Sequence, residues 1–112
     1  MGEFVALQED VLYSSLGGDP DLGELVEMFV DEIPQRVARM RDCMDEGDTD
    51  GLRRTAHQLK GAVGSYGFSQ LTPALEHLES LARTGGSAID ELWQALEDVA
   101  DLCGRMRAGV PD

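Results

Sequence analysis

Basic residues are scarce in this chain. Nine Lys and Arg stand against 22 Asp and Glu, a formal net charge of −13. Nucleic acids and anionic membrane surfaces both select a basic footprint, so neither is expected as a partner. The acidity reads as solvated helix faces, and its field favours partners with positively charged surfaces. Cysteine is limited to Cys43 and Cys103, each in a segment with helical spacing, where free thiols are usually core residues. A chain of 112 residues is long enough for one core without a disulfide, which fits a reducing compartment. No stretch approaches the ~20 apolar residues that span a bilayer. The start of the chain lacks the basic flank and apolar run of a signal peptide, and Ala6 stands where a myristoylation signal needs Ser or Thr. A cytoplasmic monomer is expected. Strand alternation and hairpin signals are absent, as is the GxxxxGK[ST] loop that holds nucleotide phosphates.

What is present is helical periodicity. The first apolar stripe runs Leu22, Val26, Phe29, Ile33, Val37, Met40, Met44, in steps of three and four that share one helix face. Asp19-Pro20 is a start signal, Pro34 falls inside, and Gly47-Asp48 ends it. The second stripe is Leu52, Ala56, Leu59, Val63, Tyr66, with Asp48 or Asp50 as cap and Gly67 as a left-handed stop. The third is Leu71, Leu75, Leu78, Ala82, capped by Ser69 or Thr72 and closed by "RTGGS". The fourth, opened by Ser87, is Ile89, Leu92, Leu96, Val99, Cys103, Met106. Loops of two to five residues make neighbours antiparallel. The expected fold is all-α: an antiparallel up-down four-helix bundle with a short extra N-terminal helix around Leu7, Val11, Leu12 and Leu16. One domain is expected over 1–112, with the bundle at roughly 19–107 and 1–18 as an N-terminal segment.

The stretch "TAHQLKGAVGSYGF", 55–68, departs from a plain amphipathic helix. With about 100° per residue and His57 at zero, Lys60 falls near −60°, Gly61 near +40° and Gly64 near −20°. Phe68, if the helix continues, falls near +20°, while the apolar stripe lies about 140° away. His57 therefore points outward, beside a lysine and two glycines. Those glycines cost the helix about 1–2 kcal/mol. What they provide is a low shelf on which another protein's surface can approach the imidazole. A neutral imidazole is a nucleophile that can take a phosphoryl group on nitrogen and surrender it again. Lys60 can neutralise the anion that results, and Arg53 and Arg54, one turn earlier, add to the positive field.

In its residues the segment resembles the histidine phosphotransfer (HPt) domain of multistep phosphorelays. That family carries His-x-Leu-Lys-Gly-small-small and a glycine ten residues after the histidine. Here the run is His57, Gln58, Leu59, Lys60, Gly61, Ala62, Val63, Gly64, Ser65, Tyr66, Gly67, with Val63 larger than the usual Ala or Ser. Leu71 and the pair Leu78-Glu79 follow at the family's positions, and "DPDLGELVEMFVDEIP" resembles its preceding helix. The likeness covers roughly 19–84. It implies a four-helix bundle, His57 as phosphoacceptor, Lys60 as stabiliser of the phosphoryl group, and Gly61 and Gly64 as a cleared docking surface. It also implies a phosphocarrier without an ATP site of its own. The partners it implies are response-regulator receiver domains or a hybrid sensor histidine kinase, with the receiver supplying the aspartate and Mg²⁺ and the carrier needing no cofactor.

Other readings can be set beside this one. An intact His57 disfavours a docking module that never accepts phosphate. A metal site lacks ligands: His57 and His77 lie on different helices, with no HExxH, no CxxC and no paired Glu-x-x-His set. A carboxylate hydrolase lacks a nucleophile–base–orienter set. Tyr66 and Trp93 read as packing residues at the core edge. Phe68 is a docking residue if the helix runs through Gly67, and a packing residue in the turn if it stops there.

Overall fold

The computed structural model describes residues 11–84 and 88–110. Among these residues there are four α-helices: α1 (Gly23–Glu46), α2 (Thr49–Ser65), α3 (Thr72–Thr84) and α4 (Ile89–Gly104). A 3₁₀ turn at Ser69–Leu71 precedes α3, and two short strands, β1 (Leu12–Tyr13) and β2 (Met106–Arg107), flank the helices. Each helix packs against the next, and α4 returns to α1, which closes the bundle. None of the described helices is long and apolar enough to cross a membrane.

The apolar stripes become the core. Helix α1 buries Val26, Phe29, Ile33, Val37, Met40, Cys43 and Met44 and continues through Pro34. Helix α2 buries Leu52, Ala56, Leu59 and Val63, α3 buries Leu75, Leu78 and Ala82, and α4 buries Leu92, Leu96, Val99 and Cys103. Tyr66 stacks on Phe29 with ring centroids 4.6 Å apart, and Trp93 packs at the core edge. Cys43 and Cys103 are free and buried, and burial pushes the Cys103 thiol up to about 12.

Helix ends follow local chemistry. Asp48 caps α2, its carboxylate accepting from the Gly51 amide at 2.9 Å. Helices α1 and α2 both finish on a glycine with positive φ, Gly47 at 71° and Gly67 at 81°. The amide just beyond each glycine reaches back five residues: Asp48 to the Cys43 carbonyl at 2.8 Å, Phe68 to the Val63 carbonyl at 2.7 Å. These are Schellman stops. The start of α1 lies later than Asp19. Asp19 Oδ1 accepts from the Asp21 and Leu22 amides at 2.7 and 3.1 Å, which builds a separate turn ahead of the helix and leaves Leu22 in the N-cap position. Ser87, the expected opener of α4, lies outside the described residues. The helix starts after Ala88, whose amide donates to Glu91 Oε1 at 3.3 Å.

The expected extra N-terminal helix is corrected. Leu7 lies outside the described residues, and Val11, Leu12 and Leu16 are not helical. β1 instead pairs in parallel with β2, Leu12 opposite Met106 and Tyr13 opposite Arg107. The Leu12 amide donates to the Arg105 carbonyl and the Ser15 amide to the Gly67 carbonyl, while the Ser14 hydroxyl donates to the Tyr66 carbonyl. The Leu12 and Ser15 amides are thus satisfied at the ends of α4 and α2 rather than by helical bonds within the segment.

Phe68 is corrected as well. The Gly67 turn re-aims the chain, and Phe68 is 0% exposed, with its ring 6.2 Å from that of Phe29. Phe68→Ala is expected to cost about 3–5 kcal/mol through the cavity it leaves, lowering the melting temperature by on the order of 15 °C. A thermal melt checks this, and a loss below about 1 kcal/mol would be too small for a filled core position.

Candidate functional site

Helices α2 and α3 lie side by side, and their shared outer face brings together the residues of interest. His57 projects from the middle of α2 with its side chain 63% exposed. Its Nδ1 is 2.9 Å from Glu79 Oε2. One turn along, Lys60 Nζ lies 2.9 Å from Glu79 Oε1. From α3 itself, Arg83 Nη2 donates to Glu79 Oε2 at 3.1 Å. The Glu79 side chain is only 5% exposed, so one nearly buried carboxylate binds three groups that reach solvent.

The electrostatics follow from that count. Burial alone would raise the Glu79 pKa. The hydrogen bond from Lys60, with a further contribution from His57, outweighs burial and holds the carboxyl below the usual range. An ionised carboxylate can only accept hydrogen bonds, so the Nδ1 of His57 carries the proton it donates. In the neutral ring, Nε2 is then left with a free lone pair. The arrangement presents a nucleophilic nitrogen beside an ammonium group on an accessible face.

The glycines keep that face low. A Cβ built on Gly61 or on Gly64 meets nothing within 4 Å, so neither glycine is needed for a neighbouring helix to approach. Together with His57, Lys60, Ser65, Thr72 and Glu76 they line a shallow depression. Because the space is empty, Gly61→Ala and Gly64→Ala are each expected to stabilise the fold, by about 0.5–1 kcal/mol. The double variant should melt roughly 4–8 °C higher, and a lower melting temperature in calorimetry would reveal a packing constraint.

Not every expected residue joins the site. Phe68 is in the core. Arg53 and Arg54 stand one turn before His57, but both bind Asp50, at 2.9 and 3.1 Å, and neither lines the depression. The Arg53 hydrogen bond holds the Asp50 carboxyl below its ordinary value. Glu79 and Arg83 were not foreseen as site residues, nor were Ser65, Thr72 and Glu76. A signal for Glu79 existed, since it lies four residues after Leu75 and three before Ala82. That is core spacing, where a carboxylate requires partners. His77 is exposed on α3. Among the described residues, no three or more His, Cys, Asp or Glu side chains are placed to hold a metal ion.

Comparison with known proteins adds a second line. The sequence model of the family described as Hpt domain matches residues 24–109. In an alignment 78 residues long that covers 63% of this chain, the sequence is 36% identical to the phosphotransferase RcsD of Escherichia coli (strain K12). The match spans only 9% of that relative's length. No solved structure matches.

Proposed function

The chain belongs to the Hpt domain family, and on that premise we propose that His57 is the residue on which it carries the phosphoryl group. An Hpt domain is a phosphocarrier within a phosphorelay, exchanging the group with receiver domains or kinases, and not itself a kinase. The observation that carries the assignment to His57 is the Glu79 contact, which occupies Nδ1 and leaves Nε2 as the free nucleophile on the exposed face.

The chemistry balances without a proton leaving the site. The Nε2 lone pair attacks phosphorus in an aspartyl phosphate of a receiver domain. The bond between phosphorus and the carboxyl oxygen breaks, and the aspartate departs as a carboxylate. The ring now bears phosphorus on Nε2 and hydrogen on Nδ1 and is cationic, a charge that Glu79 offsets at 2.9 Å. That same positive charge makes the ring a good leaving group when the phosphoryl group moves to the next aspartate. Lys60 supplies a mobile positive charge for the phosphoryl oxygens, and Gly61 and Gly64 allow the receiver to dock close to Nε2. The alanine variants that raise stability should therefore slow transfer.

Incubation with a phosphorylated receiver domain and Mg²⁺, followed by intact mass measurement, tests this. The expected product carries one phosphoryl group, labile in acid and stable in alkali. Failure to gain mass from any of a panel of receivers would leave a docking module that never accepts phosphate.

A further inference from the structure

The two oxygens of Glu79 are used unequally. Oε1 is bonded by Lys60 and Oε2 by both His57 and Arg83. If His57 is the acceptor, a phosphoryl group arriving at Nε2 adds negative charge beside Lys60, whose side chain is already 27% exposed. Lys60 sits on a flexible stem with three rotatable donors and can turn toward the new anion. Its departure would strip the nearly buried carboxylate of the cation that contributes most to keeping it ionised. An under-compensated buried carboxylate is costly, and that cost would either hold Lys60 back or draw the Nδ1 proton off the ring.

Arg83 is placed to prevent this. It reaches Glu79 from four residues along α3, so the helix itself presets the pair. Its guanidinium stays charged at any physiological pH, and it bonds the oxygen that Lys60 does not use. We propose that Arg83 is a positioning residue that keeps Glu79 ionised while Lys60 moves to the phosphoryl group. An exposed arginine normally contributes little as a surface ion pair. Here its partner is buried, and its effect appears when the second cation leaves.

The proposal rests on His57 as acceptor, and one experiment separates the two. Phosphoryl acceptance from a phosphorylated receiver is timed for wild type, Arg83→Gln, Arg83→Lys, Lys60→Ala and the double variant Lys60→Ala/Arg83→Gln, across receiver concentrations. Arg83→Gln should slow the saturating rate about fivefold, a coupling of ordinary size for charges in one network. The half-saturating receiver concentration and the melting temperature should not move, and Arg83→Lys should recover most of the rate. The double variant should fall further below Lys60→Ala than Arg83→Gln falls below wild type, because Arg83 is then the last permanent cation on Glu79. A wild-type rate in Arg83→Gln, a double variant no slower than Lys60→Ala, or a raised half-saturating concentration would each overturn the proposal. In all three cases wild type still labels. A wild type that takes no label would instead remove the reading of His57, and this proposal with it.

Discussion

His57→Gln takes up no phosphoryl group and melts within about 2 °C of wild type, the span expected for a surface substitution. The loss is complete because a carboxamide nitrogen donates hydrogen bonds but has no lone pair to offer phosphorus. The fold survives because the imidazole is largely exposed and its bond to Glu79 is made at Nδ1. Glutamine can present an N–H donor toward the same Glu79 oxygen, so the buried carboxylate keeps a partner there. His77 provides the internal control: it is exposed on α3, and His77→Gln should label as wild type does. Intact mass after exposure to a phosphorylated receiver, with a circular dichroism melt of each variant, reads both quantities. Full labelling of His57→Gln would move the acceptor elsewhere. Loss of helix content would mean that the ring is part of the packing.

The bundle was legible because its four stripes are long and regular, and because the two glycine stops are local devices. Gly47 and Gly67 end their helices by a rule that needs only neighbouring residues. The misreadings have equally definite origins. A helical wheel carried through Gly67 sets Phe68 on the His57 face. The left-handed turn there breaks the wheel and turns the ring into the core. A few apolar residues suggest a helix in the N-terminal segment, whereas its shape is set by distant partners in sequence, Arg105 to Arg107, that no local pattern announces. Their position one turn before His57 suggests that Arg53 and Arg54 add to its positive field. Charges three and four residues apart pair on a helix, and both arginines bind Asp50. Glu79 has core spacing but an acid's chemistry, and only the three groups that meet at its nearly buried carboxylate reveal its place in the site.

Glu79→Leu is expected to slow phosphoryl acceptance by about 100-fold, the scale associated with a misplaced reacting group, while leaving the protein at least as stable as wild type to within about 1 kcal/mol. The rate falls because nothing then fixes the ring: the proton can sit on Nε2, which removes the nucleophile, and the imidazole can rotate. Stability is retained for a reason of geometry. Breaking a buried ion pair is severe when the surviving charge stays buried, but His57, Lys60 and Arg83 all reach solvent and rehydrate. Leucine also extends the apolar stripe of Leu75, Leu78 and Ala82. Acid sharpens the comparison. The folded-state pKa of Glu79 is depressed, chiefly by Lys60 and then by His57. Its ionisation therefore adds stability above the ordinary carboxylate range, and that increment is lost as pH falls through the depressed value. The leucine variant has no such increment to lose, so its stability relative to wild type should improve on acidification. Urea titrations at neutral pH and below the carboxylate range, beside the transfer assay, resolve the two effects. A destabilisation above about 3 kcal/mol with transfer intact would make the carboxylate a structural strut. The expected opposite, slow transfer in a sound fold, would mean that this acid occupies a core position for its hold on the imidazole.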